Sequence, residues 1–186
     1  MNKIFVILIL VLGSCKATHE NIMFDQKLDM CYNAKLEQRV KLLSVPKDQQ
    51  FEYKNALMGF ENGLLQIGLL ENVDKASYLK LTHTLISKNQ IKNNELKFVK
   101  GDRLEREFVD SIYQDLGCYS ALVELYKLVD KNDFRYKIYN IGGHLQSDPN
   151  NTDLLISLIE LIPESEFQKI EYRRIVLRSI YVLINK

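Results

Sequence analysis

The sequence predicts an all-α chain of about seven helices, packed as an orthogonal bundle or as an irregular array of helical hairpins. Three observations carry this. Apolar residues recur at spacings of three and four along most of the chain, the rhythm of a helix face and not of a strand. Residues suited to opening a helix stand before the periodic stretches, at Asp74, Asp102, Thr152 and Ser165. Turn signals such as Pro46 and "SDPNNTD" divide one stretch from the next.

Taken in order, Phe24, Leu28 and Cys31 begin a first stripe that Leu36, Val40 and Leu43 continue up to Pro46. Tyr53, Leu57, Phe60, Leu64 and Ile67 form the most regular stripe; Gly59, Gly63 and Gly68 fall within it, and a neighbouring helix is expected to pack closely there. Asp74 can cap a third helix carrying Tyr78, Leu81, Leu85 and Ile86, which gives way to the polar "SKNQIKNNE". Asp102 with Glu105 reads as a capping box for a long helix. That helix would bury Phe108, Ile112, Leu116, Tyr119, Val123 and Tyr126 on one face and Cys118, Leu122, Leu125 and Val129 on the next.

Phe134, Ile138, Ile141 and Leu145 mark another helix, interrupted at Gly142 and Gly143. Thr152 can cap "DLLISLIELI", which stops at Pro163. Ser165 with Gln168 is read as a second capping box, opening a terminal helix through Phe167, Ile170, Tyr172, Val176, Ser179 and Leu183. The last two hairpins resemble HEAT-type helical repeats, which implies a helical hairpin array in the C-terminal third.

The first fifteen residues read differently. Lys3 supplies a positive charge, Ile4 to Leu12 run unbroken and apolar, and Gly13 and Ser14 precede Cys15, the layout of a secretory signal. The apolar run is about half of the ~20 residues a membrane-spanning helix needs. Leu12, Gly13, Ser14 and Cys15 resemble the lipobox of bacterial lipoproteins. That resemblance implies cleavage before Cys15, lipidation of Cys15 and anchoring in the cell envelope. Because Lys16 stands where many inner-membrane lipoproteins carry Asp, it further implies the outer membrane, facing the periplasm. The expected organisation is a cleaved signal at 1–14, a lipidated tether at 15–23 and one helical domain at 24–186. A plain signal peptide cut elsewhere is the alternative.

Cleavage would leave about 170 residues, enough for one core and too few for two comfortable domains. Charge is balanced, 25 basic residues against 24 acidic in the full chain, so nucleic acid is a poor partner. With Cys15 lipidated, Cys31 and Cys118 are the remaining thiols, and an exported chain meets an oxidising compartment. Paired, they would close a loop that stabilises the fold by about 4 kcal/mol on the chain-entropy model. Unpaired, each would pack as a small apolar residue.

No catalytic set emerges. His19 falls in the tether, His83 on a helix where it faces solvent, and His144 after a Gly pair that suggests a helix break or a backbone anion nest. Glu105 with Glu107, and Glu164 with Glu166, are spaced two apart and point to different sides of a helix. Neither Cys31 nor Cys118 has a second Cys or a His at ligand spacing, so no metal is expected, and no cofactor motif occurs. Tyrosines beside charges, ten Tyr in all, read either as a binding surface or as rings at the core edge with wet hydroxyls. Tyr172, Arg174 and Arg178 in "YRRIVLR" form a candidate partner-contact patch, since the two arginines are four apart. The "NNT" at Asn150 to Thr152 matches a glycosylation acceptor but is read as turn chemistry and a helix cap. The expectation is a lipid-anchored envelope protein, not an enzyme, that binds another protein: an envelope component or, for an immunity protein, a toxin. An envelope hydrolase is a third reading, and no small-molecule substrate is evident.

Overall fold

The computed structural model describes residues 23–38, 40–42, 44, 53–87 and 116–184. These form eight helices and, among the described residues, no strand. Helix α1 covers residues 23–38, with 40–42 helical beyond it, α2 is Tyr53–Gln66 and α3 is Lys75–Ser87. Helix α4 covers residues 116–120 and passes into a π-helical turn, Ala121–Leu125. Then come α5 (Phe134–Ser147), α6 (Thr152–Leu161), α7 (Glu164–Phe167) and α8 (Ile170–Ile184). The signal, the tether as far as residue 22 with Cys15 and His19, and the capping box at Asp102 lie outside the described residues, as do Phe108 and Ile112; residue 23, assigned to the tether, is instead the first of α1.

The all-α class is that of the sequence, and the arrangement is a helical bundle built round its last helix. Helices α2, α3, α6 and α7 all pack on α8, while α6 also lies against α3 and α5. Twelve of the fifteen α8 residues are buried, so this helix has no broad wet face. Val176, Leu177 and Ile180 are fully enclosed there, each contributing about 1.5–3 kcal/mol through lost contact with water.

The helix ends follow local chemistry. Asp74 accepts a hydrogen bond from the Ser77 backbone N–H at 2.7 Å, which opens α3. Asp133 does the same for Arg135 at 2.8 Å and opens α5. Gly68, placed within α2 by the sequence reading, instead terminates it. With φ at +71° it lets the Leu69 N–H reach the Leu64 carbonyl at 3.0 Å and its own N–H reach Leu65 at 3.1 Å, a Schellman ending.

Four further expectations need correcting. Helix α5 runs unbroken through Gly142 and Gly143; Gly142 is there for close packing, since a Cβ on it would meet Leu116 at 3.0 Å and Ile175 at 3.4 Å. Asn151, not Thr152, caps α6, its side chain accepting from the Leu154 N–H at 3.1 Å. Ser165 lies inside the one-turn α7, which begins after Pro163, and a separate α8 starts at Ile170. The α4 segment ends at its π turn, where the Tyr126 N–H bonds the Ala121 carbonyl, and Lys127 then adopts φ +49°. The wider turn shifts the face rhythm, so Leu116, Tyr119 and Val123 are buried but Leu125 and Tyr126 are exposed.

A disulfide joins Cys31 of α1 to Cys118 of α4, across 87 sequence positions and with 5.8 Å between the Cα atoms. It fixes α1 beside α4.

Candidate functional site

Two clusters of charge and a group of exposed apolar side chains on α1 and after α4 stand out among the described residues. The first cluster is wholly internal. Arg173 of α8 makes a two-pronged ion pair with Glu61 of α2, Nε to Oε1 at 2.8 Å and Nη2 to Oε2 at 3.0 Å. Its third nitrogen, Nη1, donates to the Phe167 carbonyl at the end of α7, 2.7 Å away. The Tyr78 hydroxyl of α3 donates to Glu61, and the Phe167 ring stands edge-on to Tyr78 at 5.2 Å. One guanidinium thus fastens four helices. Burial, then the charge and hydrogen bond of Glu61, push the Tyr78 hydroxyl well above the usual range for tyrosine. Burial works against the Arg173 charge, but the bonds and charge of Glu61 outweigh it and raise its affinity for the proton.

The second cluster is half-buried, where α1 meets α5 and the start of α8. Asp25 accepts from Lys169 Nζ at 2.7 Å and from the Tyr172 hydroxyl, and Lys169 also pairs with Glu166 at 2.7 Å. Beside them Arg135 grips Asp133, Nε to Oδ1 at 2.8 Å and Nη2 to Oδ2 at 2.5 Å. Its guanidinium carbon lies 4.8 Å from the centre of the Phe24 ring and 5.5 Å from that of Phe134. No oxygen among the described residues accepts from Arg135 Nη1, and these two ring faces offset part of that loss. Burial, followed by Tyr119 and by the Asp25 hydrogen bond and charge, raises the Tyr172 hydroxyl far above its normal range. Burial would raise Asp133, yet the bonds from Arg135 hold its carboxyl below the ordinary carboxylate value.

Both clusters pair acids with bases and hydroxyls, which suits fastening. Among the described residues no group of three or more His, Cys, Asp and Glu could hold a metal ion, and no helix is long and apolar enough to cross a membrane.

The candidate patch of Tyr172, Arg174 and Arg178 is not a surface. The three are only 1%, 4% and 4% exposed. They are enclosed because helices surround α8 on almost every side. Tyr172 turns to Asp25; Arg174 lies 3.4 Å from the centre of the Tyr32 ring of α1 and donates from Nε to the Glu171 carbonyl at 3.0 Å. Arg178 is buried elsewhere along the helix. His83 is exposed on α3 and His144 on α5, where the continuous helix leaves no anion nest.

Of the groups that sequence reasoning missed, Glu61, Arg173, Asp25 and Lys169, the first two carried a signal. Glu61 falls four after Leu57 and three before Leu64, so it stands within the apolar stripe. Arg173 is likewise in step with Ile170, Leu177 and Ile180. A charge inside a stripe points to a buried partner.

The surface feature lies where the disulfide holds α1 to α4. Met30 is 70% exposed, Leu125 73% and Tyr126 60%. Lys27 extends over the Tyr126 ring, its Nζ 5.7 Å from the centre, and Met30 is one helical turn further along α1. Lys127, exposed and at positive φ, follows Tyr126 directly.

Comparison with protein-family models, curated proteins and solved structures found no match to the chain.

Proposed function

We propose that the chain is a lipid-anchored protein of a bacterial cell envelope, held in the outer membrane through Cys15, that works by binding another protein. The single observation behind the address is the run Leu12, Gly13, Ser14, Cys15 directly after an apolar stretch. The geometry supports a binding role over a chemical one through the two charge clusters. Glu61 with Arg173 ties α2 to α8, and Asp25 with Lys169 and Tyr172 ties α1 to the start of α8, so these groups lock helices together into a stiff scaffold. A stiff scaffold presents its outer surfaces at little conformational cost to a partner.

The immunity reading is favoured by one feature. Asp153 and Glu160 are seven apart on α6 and both exposed, with exposed Asp148 and Glu164 beyond its two ends. Such exposed acids, with Lys75 the base beside Glu160, complement a basic toxin cleft.

Cys15→Ala is the test of the address. The substituted chain should lose its acyl label and leave the membrane fraction; unchanged processing and membrane association would refute the anchor. Crosslinking followed by mass spectrometry of the membrane-extracted protein then separates the binding readings. A secreted enzyme held one-to-one identifies immunity, and an envelope component identifies the adaptor.

A further inference from the structure

We infer that the Met30, Leu125 and Tyr126 patch is a membrane-docking surface, seated in the interfacial layer of the same bilayer that holds the acyl anchor. The inference rests on the lipid-anchored reading and adds an orientation to it: the domain lies down on one defined side and is not a free body on a tether.

Three arguments converge. The first is chemistry. Met and Leu enter the acyl boundary, Tyr places its ring there with the hydroxyl among headgroups, and lysines extend their ammonium groups outward to lipid phosphates. Lys27 over the Tyr126 ring and Lys127 next to it stand at the rim of the apolar surface together with exposed Asp29 and Glu124, so the apolar side chains and not net charge set the seat.

The second is reach. Seven residues separate Cys15 from the first residue of α1, an extended span of at most about 29 Å. Lys27 and Met30 follow about 6 and 10 Å further along the helix axis. An acylated Cys15 therefore holds the patch within a few tens of ångströms of the bilayer, and docking becomes an intramolecular event at high effective concentration.

The third is size. Three apolar side chains fall short of the roughly 20–30 residues a side that a stable protein interface uses. As a second contact beside a lipid anchor they suffice, because the anchor has already brought them to the surface. The π turn and the positive φ of Lys127 are what turn Leu125 and Tyr126 outward, and the disulfide keeps α1 in place beside them.

The chain contains no tryptophan, which makes the test direct. The mature lipidated protein carrying Tyr126→Trp, or His83→Trp on α3 as reference, is reconstituted into vesicles of phosphatidylcholine and phosphatidylglycerol with and without brominated acyl chains. Docking predicts at least twofold stronger quenching at position 126 than at 83. Adding Met30→Glu and Leu125→Glu should abolish the difference while the protein still floats with the vesicles. Equal quenching at 126 and 83 in protein that floats overturns docking and leaves the anchor intact. A residue-126 crosslink to another polypeptide also overturns it and assigns the patch to a protein. Protein that neither floats nor carries acyl mass on Cys15 overturns the anchored reading, and this inference with it.

Discussion

Glu61 to Gln removes one charge and leaves the other enclosed. Arg173 would keep its place between α2, α3 and α7 with no anion to balance it, a situation that costs about 3–5 kcal/mol in buried pairs. Glu71 to Gln breaks an ion pair with Lys80 whose members are 57% and 66% exposed, and should cost less than about 1 kcal/mol. Urea denaturation of both variants checks the contrast; similar losses would mean the internal pair does not fasten the helices. The same residues show what the sequence discloses at this scale. That Glu61 and Arg173 are buried can be read from their step within apolar stripes, but that they meet cannot, because 112 positions separate them. Tyr172, Arg174 and Arg178 mislead for the opposite reason. Their spacing is sound, yet a polar residue on a helix is assigned to a wet face, and α8 has almost none.

Helix α5 carries two adjacent glycines with opposite surroundings. A Cβ on Gly143 would meet nothing within 4 Å, so Gly143→Ala should raise stability by about 0.5–1 kcal/mol through restricted unfolded-chain freedom and better helix propensity. Gly142→Ala faces Leu116 and Ile175 and should show no such gain. Thermal unfolding of the pair decides it, and equal gains would disprove the tight contact between α4 and α5. Helix starts with an unambiguous acid, such as Asp74, are legible in the sequence. Asn151 and Thr152 are adjacent and both able to cap, so propensity could not choose between them. The π turn of α4 left no signal, since one extra residue per turn does not alter composition.

For the molecule as a whole, alkaline pH is the sensitive limit. Tyr78, Tyr172 and Lys169 all hold their protons more tightly in the fold than in the free chain, the tyrosines because they are buried against carboxylates. Lys169 does so because Asp25 and Glu166 outweigh the burial that opposes its charge. Groups raised in this way support the fold while pH stays below their free-chain values and withdraw that support as pH climbs toward their folded values. Stability should therefore hold to about pH 9 and decline above about pH 10. Asp133, lowered in the fold, withdraws its support in acid, below about pH 4. Tyrosinate absorbance followed together with circular dichroism tests the alkaline limb: part of the signal from the ten tyrosines should emerge only as helicity is lost. If every tyrosine ionised near pH 10 with helicity intact, the buried hydroxyl pairs would be wrong. The helical class was legible because periodicity is local. The order of packing was not, because α2 meets α8 and α3 meets α6 across long stretches of chain.

The bond between Cys31 and Cys118 also governs how the protein carries mechanical load. Tension applied at the first turn of α1 can unravel residues 23–30 and no more of that helix before it reaches a covalent link. The link then hands the tension to Cys118 and bypasses a sequence separation of 87, roughly 300 Å of potential contour. Pulled from the N-terminal side of α1, the oxidised protein is a short, stiff leash; reduced, it becomes a long one.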